Sequence, residues 1–137
     1  VDKLIEKKEN SSINLIFKNN GESYFRKIES EITLTVLKND NSVISLGGGA
    51  FVNNLIRKNV KKLSISFWLD APISELVKRL KKNKLRPLLF GNDIDETIKK
   101  IYFERKKIYN MADHRIKCNF KKSSEIAKKI INLYEKS

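Results

Sequence analysis

Three consecutive glycines, Gly47, Gly48 and Gly49, form the pattern in this sequence that is most typical of a ligand-binding loop. They directly follow the apolar segment 43–46, which predicts a short buried strand. Glycine has no Cβ, so this backbone can approach a ligand closely. Because ligands of open parallel sheets bind at the carboxyl ends of the strands, we expect a binding loop here. The alternative is a tight turn between a strand and a helix, which one glycine would usually serve.

Arginines are the next candidates, because a planar guanidinium can hold an anion with two hydrogen bonds. The sequence uses lysine for 23 of its 29 basic residues and has six arginines: Arg26, Arg57, Arg79, Arg86, Arg105 and Arg115. Arg105 lies on the apolar stripe of a predicted helix, four residues after Ile101 and three before Ile108. A guanidinium on that stripe is costly unless it meets an anion. Either a ligand or a carboxylate of a neighbouring element would satisfy it.

Two further arginines have more ordinary alternatives. Arg86 lies in the segment 83–92, which has neither helical nor strand periodicity and is predicted to be a loop or mobile flap. It could close over a phosphate or be a solvated charge. Arg26 follows Glu22 by four residues and precedes Glu29 by three, so an ion pair on the surface of a helix is enough to explain it.

The other reactive residue types give little evidence of a catalytic or metal site. Asp2 has the position of a helix N-cap, and His114 and Cys118 flank a short predicted strand, where we expect them to be bystanders in the core or at the surface. One cysteine cannot form an internal disulfide, and one cysteine with one histidine cannot build a structural zinc site. The sequence contains neither G-x-x-x-x-G-K-[ST] nor G-x-G-x-x-G, so no nucleotide-phosphate cradle lies within it.

Helices and strands alternate in the predicted order of elements. Apolar spacing and capping residues predict helices over 2–9, 13–17, 22–37, 51–58, 73–80, 93–110 and 125–134. Buried strands are predicted over 43–46, 63–69 and 114–118. This alternation predicts an α/β fold, a parallel sheet with helices on both faces, and 137 residues are enough for one domain.

The charge balance allows two interpretations. A formal net charge of +13 would attract nucleic acid, but the lysine pairs are scattered along the chain and do not form one stripe. An excess of Lys, Asn and Ile is instead typical of compositional drift. No apolar run approaches the ~20 residues that cross a bilayer, so we expect a soluble, cytoplasmic protein. Because the first residue is valine and a helix begins at once, we expect the N-terminus of the parent protein to be missing.

Several of these features together resemble the shikimate kinase family. The resemblance rests on Asp2, Ile16-Phe17, Gly21-Glu22-x-x-Phe25-Arg26-x-x-Glu29, Ser45-Leu46-Gly47-Gly48-Gly49-Ala50, Trp68-Leu69-Asp70-Ala71-Pro72, Leu85-Arg86-Pro87-Leu88-Leu89 and Glu104-Arg105-x-x-x-Tyr109. It implies a P-loop kinase fold of the nucleoside-monophosphate-kinase type, a five-stranded parallel sheet flanked by helices. The implied reaction transfers the γ-phosphoryl of ATP to the 3-hydroxyl of shikimate, a step towards chorismate and the aromatic amino acids.

The resemblance also implies roles for individual residues. Asp2 corresponds to an aspartate that binds the shikimate hydroxyls and helps activate the attacking one, and Arg26 and Arg105 to the arginines that hold the shikimate carboxylate. The remaining implied substrate contacts are the loop at Gly47, Gly48 and Gly49 and the aromatic side chains of Phe17 and Phe25. For ATP, the resemblance implies a contact from Arg86, in a lid loop over 83–92, and it places Arg79 and Lys122 near the nucleotide. The helices over 11–38 would bind shikimate.

Other parts of the family pattern are not in this sequence. The resemblance places the first strand, the P-loop and the ligands of Mg²⁺, the expected companion of ATP, before Val1, so residues 1–137 would be one partial domain. We therefore expect this chain alone neither to hydrolyse ATP nor to fold stably.

Three alternatives remain beside this interpretation. One is another small-molecule kinase of the same fold, such as a gluconate kinase, and the second is a basic nucleic-acid-binding module. The third is a relative that keeps the shikimate pocket without ATP chemistry. The main interpretation predicts a monomer whose partners are shikimate and ATP, with neither nucleic acid nor membrane.

Overall fold

The computed structural model of the chain describes residues 1–82, 94–119 and 122–137. The described chain forms two compact units, Val1–Ser64 and Ile65–Ser137. Each unit has its own apolar core and its own set of helices, and the sequence features that predicted those elements can be followed within each unit.

The first unit begins with two helices. Helix α1 covers Asp2–Glu9 and ends at Asn10, whose φ of 47° places it in the left-handed region. Helix α2 covers Ile13–Val36 and begins after Ser12, whose hydroxyl accepts a hydrogen bond from the amide of Leu15. Inside α2, Gly21 has a φ of 81° and a ψ of 175°, which breaks the helical geometry. The predicted helices over 2–9 and on both sides of Gly21 are confirmed.

An apolar cluster fixes α1 against α2. Its buried members are Ile5, Ile16, Phe25, Ile28 and Ile32. They come from both helices and recur at three- or four-residue spacing in α2, so one face of that helix is apolar. This packing holds the first residues of α1 against the middle of α2, the region where the candidate site lies.

The segment 43–46 is not a strand in the structure, so that prediction is wrong. Ile44 and Leu46 pack against the buried side chains of Leu37 and Ala50, while Val43 is fully exposed, which is the alternation of an extended chain. A strand also needs hydrogen bonds to a neighbouring strand, and within the described ranges no strand pairs with this segment.

The loop after Gly49 leads into two short helices. A 3₁₀-helix covers Ala50–Val52, and helix α3 covers Asn54–Leu63. The side chain of Asn53 caps α3 by accepting hydrogen bonds from the amides of Leu55 and Ile56. Helix α3 therefore starts later than the helix predicted over 51–58 and takes up Leu63, which was predicted to begin a strand.

The second unit is built on two parallel strands. Strand β1 covers Phe67–Asp70 and β2 covers His114–Lys117, with Leu69 opposite Ile116 and Trp68 opposite Arg115. Helices α4 (Ile73–Lys82) and α5 (Ile94–Tyr109) lie between the strands in sequence, and α6 (Ser123–Tyr134) follows β2. The predicted strand over 114–118 and the helices around it are confirmed within two residues, and the predicted strand over 63–69 begins later than expected.

Helices cover both faces of this sheet. On one face, Ile116 packs with Ile126 and Ile130 of α6. On the other, the Trp68 ring packs against Tyr109 of α5, and the buried carboxylate of Asp70 accepts hydrogen bonds from Arg115 and Tyr102. Successive residues of a strand point to opposite faces, which explains why neighbouring positions meet different helices.

A hydrogen-bonded clasp joins the starts of the two strands. Asp113 Oδ2 accepts hydrogen bonds from the Ser66 amide (2.9 Å) and the Ser66 hydroxyl (2.6 Å), and the Asp113 amide donates to Ser66 Oγ (3.0 Å). Partial burial raises the pKa of Asp113, but the hydrogen bonds from Ser66 outweigh it, so the pKa lies below the ordinary value of an aspartate.

Replacing Asp113 with alanine should lower the free energy of unfolding by about 1 kcal/mol at pH 7, because two exposed hydrogen bonds are lost. A carboxyl with a depressed pKa in the folded state stabilises it above the pKa of the unfolded state, about 3.9, and this contribution disappears as the pH falls through the folded pKa. Urea unfolding of the full-length protein with and without Asp113→Ala should therefore show a difference in the free energy of unfolding at pH 7 that shrinks below about pH 4. A difference that grows in acid would contradict this.

Among the described residues, none of the helices combines the length and the apolar character needed to cross a membrane.

Candidate substrate-binding site

Two carboxylates from different helices approach Gly47. Asp2 is the first residue of α1, and Glu29 lies in the middle of α2. A Cβ placed on Gly47 would lie 2.7 Å from Oε1 of Glu29 and 3.7 Å from Oδ1 of Asp2. Real Cβ atoms do not come as close as the first of these distances. Glycine at position 47 therefore allows the backbone of the loop to lie against both acids.

The guanidinium of Arg26 is held by two carboxylates of the same helix. Its Nη1 donates to Oε2 of Glu29 at 2.7 Å, and its Nε and Nη2 donate to Oε1 of Glu22 at 3.3 and 3.2 Å. The Glu29 side chain is 3% exposed and the Glu22 side chain 50% exposed. The ion pair expected on the helix surface is thus found with Glu22, whereas the pair with Glu29 is partly buried and its carboxylate is fully so.

Electrostatics keep Arg26 charged. Burial lowers the pKa of the guanidinium, but the hydrogen bonds and the negative charges of Glu29 and Glu22 outweigh that effect, and the pKa lies above its ordinary value. A permanent positive charge with a planar hydrogen-bonding edge is what recognition of a small carboxylate requires.

Gly49 lies directly against the Arg26 guanidinium. A Cβ placed on Gly49 would overlap Nη1 and would lie 2.5 Å from Cζ and 2.7 Å from Nη2. The backbone of Gly49 is in the ordinary right-handed region, with a φ of −86° and a ψ of −23°. The requirement for glycine at this position is therefore the space for Arg26, since the backbone conformation suits any residue.

Aromatic side chains lie beside this arginine. The rings of Phe17 and Phe25 have centroids 4.6 Å apart, and Cζ of Arg26 lies 5.3 Å from the centroid of the Phe25 ring. Phe25 is buried in the core between α1 and α2, and Phe17 packs against that core from the side. The two phenylalanines thus connect the core to Arg26.

Arg57 supports the residues that follow the glycine loop through hydrogen bonds, a role that the sequence did not reveal. Its Nη1 donates to the carbonyls of Phe51 and Val52, both at 3.0 Å, and its Nη2 donates to Oδ1 of Asn54 at 3.2 Å. These bonds fix the 3₁₀ turn that begins directly after Gly49. No spacing rule connects an arginine with carbonyls five and six residues earlier in an irregular loop.

The other predicted site residues are placed in the second unit or outside the described ranges. Arg105 lies in α5, where its side chain is half-buried and forms no ion pair or hydrogen bond with any other described residue. Arg79 is exposed and pairs with Glu75 one turn earlier in α4. Lys122 is exposed and directly precedes α6. Arg86 and the predicted lid loop 83–92 lie outside the described residues.

A family model described as shikimate kinase matches residues 1–135. The chain belongs to the shikimate kinase family. Membership confirms the resemblance carried by the motifs around Asp2, Arg26 and the three glycines.

Similar proteins agree with this assignment. A shikimate kinase from Bartonella henselae is 37% identical over 130 residues, which cover 95% of this chain and 62% of that protein. One from Sulfurihydrogenibium sp. is 38% identical over 135 residues, covering 96% of this chain and 78% of the relative. The chain thus spans between three fifths and four fifths of the length of these relatives.

Solved structures of shikimate kinases have the same fold. The enzyme from Acinetobacter baumannii in complex with shikimate has a TM-score of 0.94 at 27% identity, and the match covers 98% of this chain and 76% of that one. The enzyme from Aquifex aeolicus has a TM-score of 0.84 at 36% identity, covering 98% and 78%. The predicted fold class, a P-loop kinase fold with a parallel sheet flanked by helices, is confirmed.

A ligand set for Mg²⁺ is not found in the described part of this family member. Within residues 1–82, 94–119 and 122–137, no three His, Cys, Asp or Glu side chains are grouped as a metal site requires. Asp2, Glu22 and Glu29 are instead arranged around a glycine backbone and a guanidinium.

Proposed function

We propose that the protein to which these residues belong transfers the γ-phosphoryl of ATP to the 3-hydroxyl of shikimate, in the pathway to chorismate and the aromatic amino acids. The observation that carries the proposal is the cluster in the first unit, where Asp2 and Glu29 meet at Gly47 and Arg26 lies against Gly49. These groups match the two kinds of polar group on a small hydroxylated acid.

Asp2 is the proposed catalytic residue. Its side chain is exposed at the start of α1, close to the loop backbone at Gly47. In the reaction, the 3-hydroxyl oxygen forms a bond to the γ-phosphorus, the bond from that phosphorus to the ADP oxygen breaks, and the hydroxyl loses its proton. A carboxylate that accepts a hydrogen bond from the hydroxyl orients the nucleophile and takes up this proton.

Arg26 is the proposed binding residue for the shikimate carboxylate. Its charge is maintained by Glu29 and Glu22, and its guanidinium lies directly against Gly49. Phosphoryl transfer depends mainly on positioning, so a carboxylate anchor at a fixed distance from Asp2 contributes to the rate as well as to binding. Gly47, Gly48 and Gly49 would contact the ring through their backbone, with Phe17 and Phe25 beside it.

The remaining parts of the proposal concern ATP and the state of the protein. Arg86 in the loop 83–92, with Arg79 and Lys122, would contact the nucleotide, and Mg²⁺ would accompany it. The helices over 11–38 would form the shikimate side of the site. The family of the chain supports ATP as the phosphoryl donor. We further propose that the protein is a monomer and is located in the cytoplasm.

A coupled assay of ADP formation by the full-length protein tests the proposed function. We expect ATP turnover that depends on shikimate and a product with a phosphate on the 3-oxygen, identified by ³¹P and ¹H NMR. Gluconate in place of shikimate should give no more turnover than ATP alone. Turnover with gluconate but not with shikimate would replace this proposal with the related sugar-acid kinase.

Arg105→Ala should raise the KM for shikimate about tenfold and leave the KM for ATP within about twofold. Arg105 is half-buried and has no ion pair with another described residue, so an anionic ligand is the partner that its position calls for. Steady-state kinetics of the full-length protein with each substrate varied in turn measures both values. Lys107→Ala, an exposed basic residue of the same helix, is the matched control and should change neither. If Arg105→Ala changes the KM values for shikimate and ATP equally, Arg105 does not bind shikimate.

A further inference from the structure

The two carboxylates that hold Arg26 differ in burial and in the length of their hydrogen bonds. Glu29 is buried, and its bond to Nη1 is short, at 2.7 Å. Glu22 is half-exposed, and its two bonds, at 3.3 and 3.2 Å, are long for a charge-assisted pair. Glu29 is therefore a fixed partner of Arg26, whereas the contact with Glu22 is weak and open to solvent.

The position of Glu22 on the guanidinium is the important point. A guanidinium can receive a carboxylate with two bonds at its Nε/Nη2 edge or at its Nη1/Nη2 edge. Glu22 occupies the first edge, since one of its oxygens accepts from both Nε and Nη2, and Glu29 engages Nη1 of the second. The face of the plane lies against Gly49. To gain a two-bond contact at the Nε/Nη2 edge, a carboxylate from outside must displace Glu22, and at the other edge it would share Nη1 with Glu29.

The charges of the cluster lead to the same conclusion. Arg26 carries one positive charge, and Glu22 and Glu29 carry two negative charges, so the three side chains together are net negative. An anionic ligand would be repelled by this group as it stands. If the Glu22 side chain rotates into solvent, the remaining pair is neutral and one edge of the guanidinium is free.

We propose that Glu22 is an internal competitor of the substrate carboxylate: it occupies the Nε/Nη2 edge of Arg26 in the free protein and is displaced when shikimate binds. This inference rests on the proposed function, because it takes Arg26 as the carboxylate anchor. Glu22 then sets the affinity of the site from within. It also excludes weakly bound anions, since a ligand must make further contacts to displace a carboxylate that is already attached to the chain.

Binding of shikimate to the full-length protein, measured by isothermal titration calorimetry without ATP, tests the proposal. Glu22→Gln keeps the size of the side chain and removes its charge. It should tighten shikimate binding about two- to fourfold, the range expected when an exposed ion pair between residues four apart no longer competes and a nearby negative charge is removed. Glu22→Ala should change the affinity in the same direction.

Two controls separate competition from a structural effect. Glu31→Gln alters a carboxylate of the same helix with a similar exposure, 49%, which pairs with Lys8 and does not contact Arg26; it should leave the affinity unchanged. The carboxamide analogue of shikimate has no negative charge, so its affinity should differ less between the wild type and Glu22→Gln than the affinity of shikimate does. A general loosening of the site would change the affinities for both ligands by the same factor.

The outcomes distinguish this inference from the proposed function. If the wild type does not bind shikimate at all, the proposed function fails. If the wild type binds shikimate and Glu22→Gln binds it equally well or more weakly, Glu22 orients Arg26 or is a bystander, and the competitor role is wrong. A gain of equal size for the carboxamide analogue would overturn it as well.

Discussion

Replacing Asp2 with asparagine in the full-length protein should lower kcat for shikimate phosphorylation by about 10²- to 10⁴-fold, the usual contribution of a general base. Asparagine has nearly the same shape and can still accept a hydrogen bond from a hydroxyl, but it cannot take up the proton. The KM for shikimate should therefore change much less than kcat. Steady-state kinetics at saturating ATP separates the two parameters.

The control for Asp2 must show that folding is intact. Asp2 lies in the first turn of α1, where its charge contributes about 0.3–1 kcal/mol to the helix, so a small fall in the unfolding midpoint is expected. Asp40→Asn changes an exposed aspartate away from the cluster and should leave kcat unchanged. A kcat within tenfold of the wild type in Asp2→Asn would show that the hydroxyl proton is accepted elsewhere.

Gly49→Ala should weaken shikimate binding by about 10- to 100-fold, equivalent to the loss of a hydrogen-bonded charged partner. The added methyl group would occupy the position of the Arg26 guanidinium. The backbone of residue 49 already suits alanine, but the guanidinium must move, and its bond to the buried carboxylate of Glu29 is then weakened. The protein should therefore still fold, with a lowered unfolding midpoint, and should lose affinity for shikimate because Arg26 no longer has the position that holds the carboxylate.

A double-mutant cycle identifies the route of this effect. If Gly49→Ala acts by displacing Arg26, then Arg26→Ala combined with Gly49→Ala should bind shikimate about as weakly as Arg26→Ala alone. Calorimetric titration of the four proteins measures the coupling. Fully additive losses would mean that the methyl group blocks the ligand directly and that the position of Arg26 is not involved.

Local sequence patterns were sufficient to predict most helices. Helix α1 begins at Asp2 as expected, and Ser12 and Gly21 mark the start and the break of α2. Caps and breaks act within a few residues through hydrogen bonds and allowed φ values, so they can be read from adjacent positions. The same holds for α6, which begins within two residues of its predicted start.

Strands were predicted less well because pairing is not local. The segment 43–46 has the composition and the alternation of a strand, but no strand pairs with it among the described residues. Leu63 belongs to α3, where the amide of Ser64 closes the last turn on the carbonyl of Val60, although its neighbours suggested a strand. Helix α3 continues through Leu63, although this residue and its neighbours alone would favour a strand.

The candidate site was predictable in part. The motif resemblance brought Asp2, Arg26 and the glycine loop together, and the structure places the side chains of Asp2 and Arg26 against that loop. The burial of Glu29 was not predictable, since its spacing from Arg26 fits a surface pair equally well. That burial depends on the approach of Gly47, eighteen residues later, and no local pattern encodes such an approach.

The clasp between Ser66 and Asp113 has a consequence for strand register. These residues directly precede β1 and β2, so their three hydrogen bonds align the first residues of both strands. A shift of β2 by one position would turn Ile116 out of the core and direct Arg115 into it. The clasp excludes that arrangement at the moment the strands meet. The side chains of Ser66 and Asp113 thus prevent the second unit from forming a sheet with a shifted register.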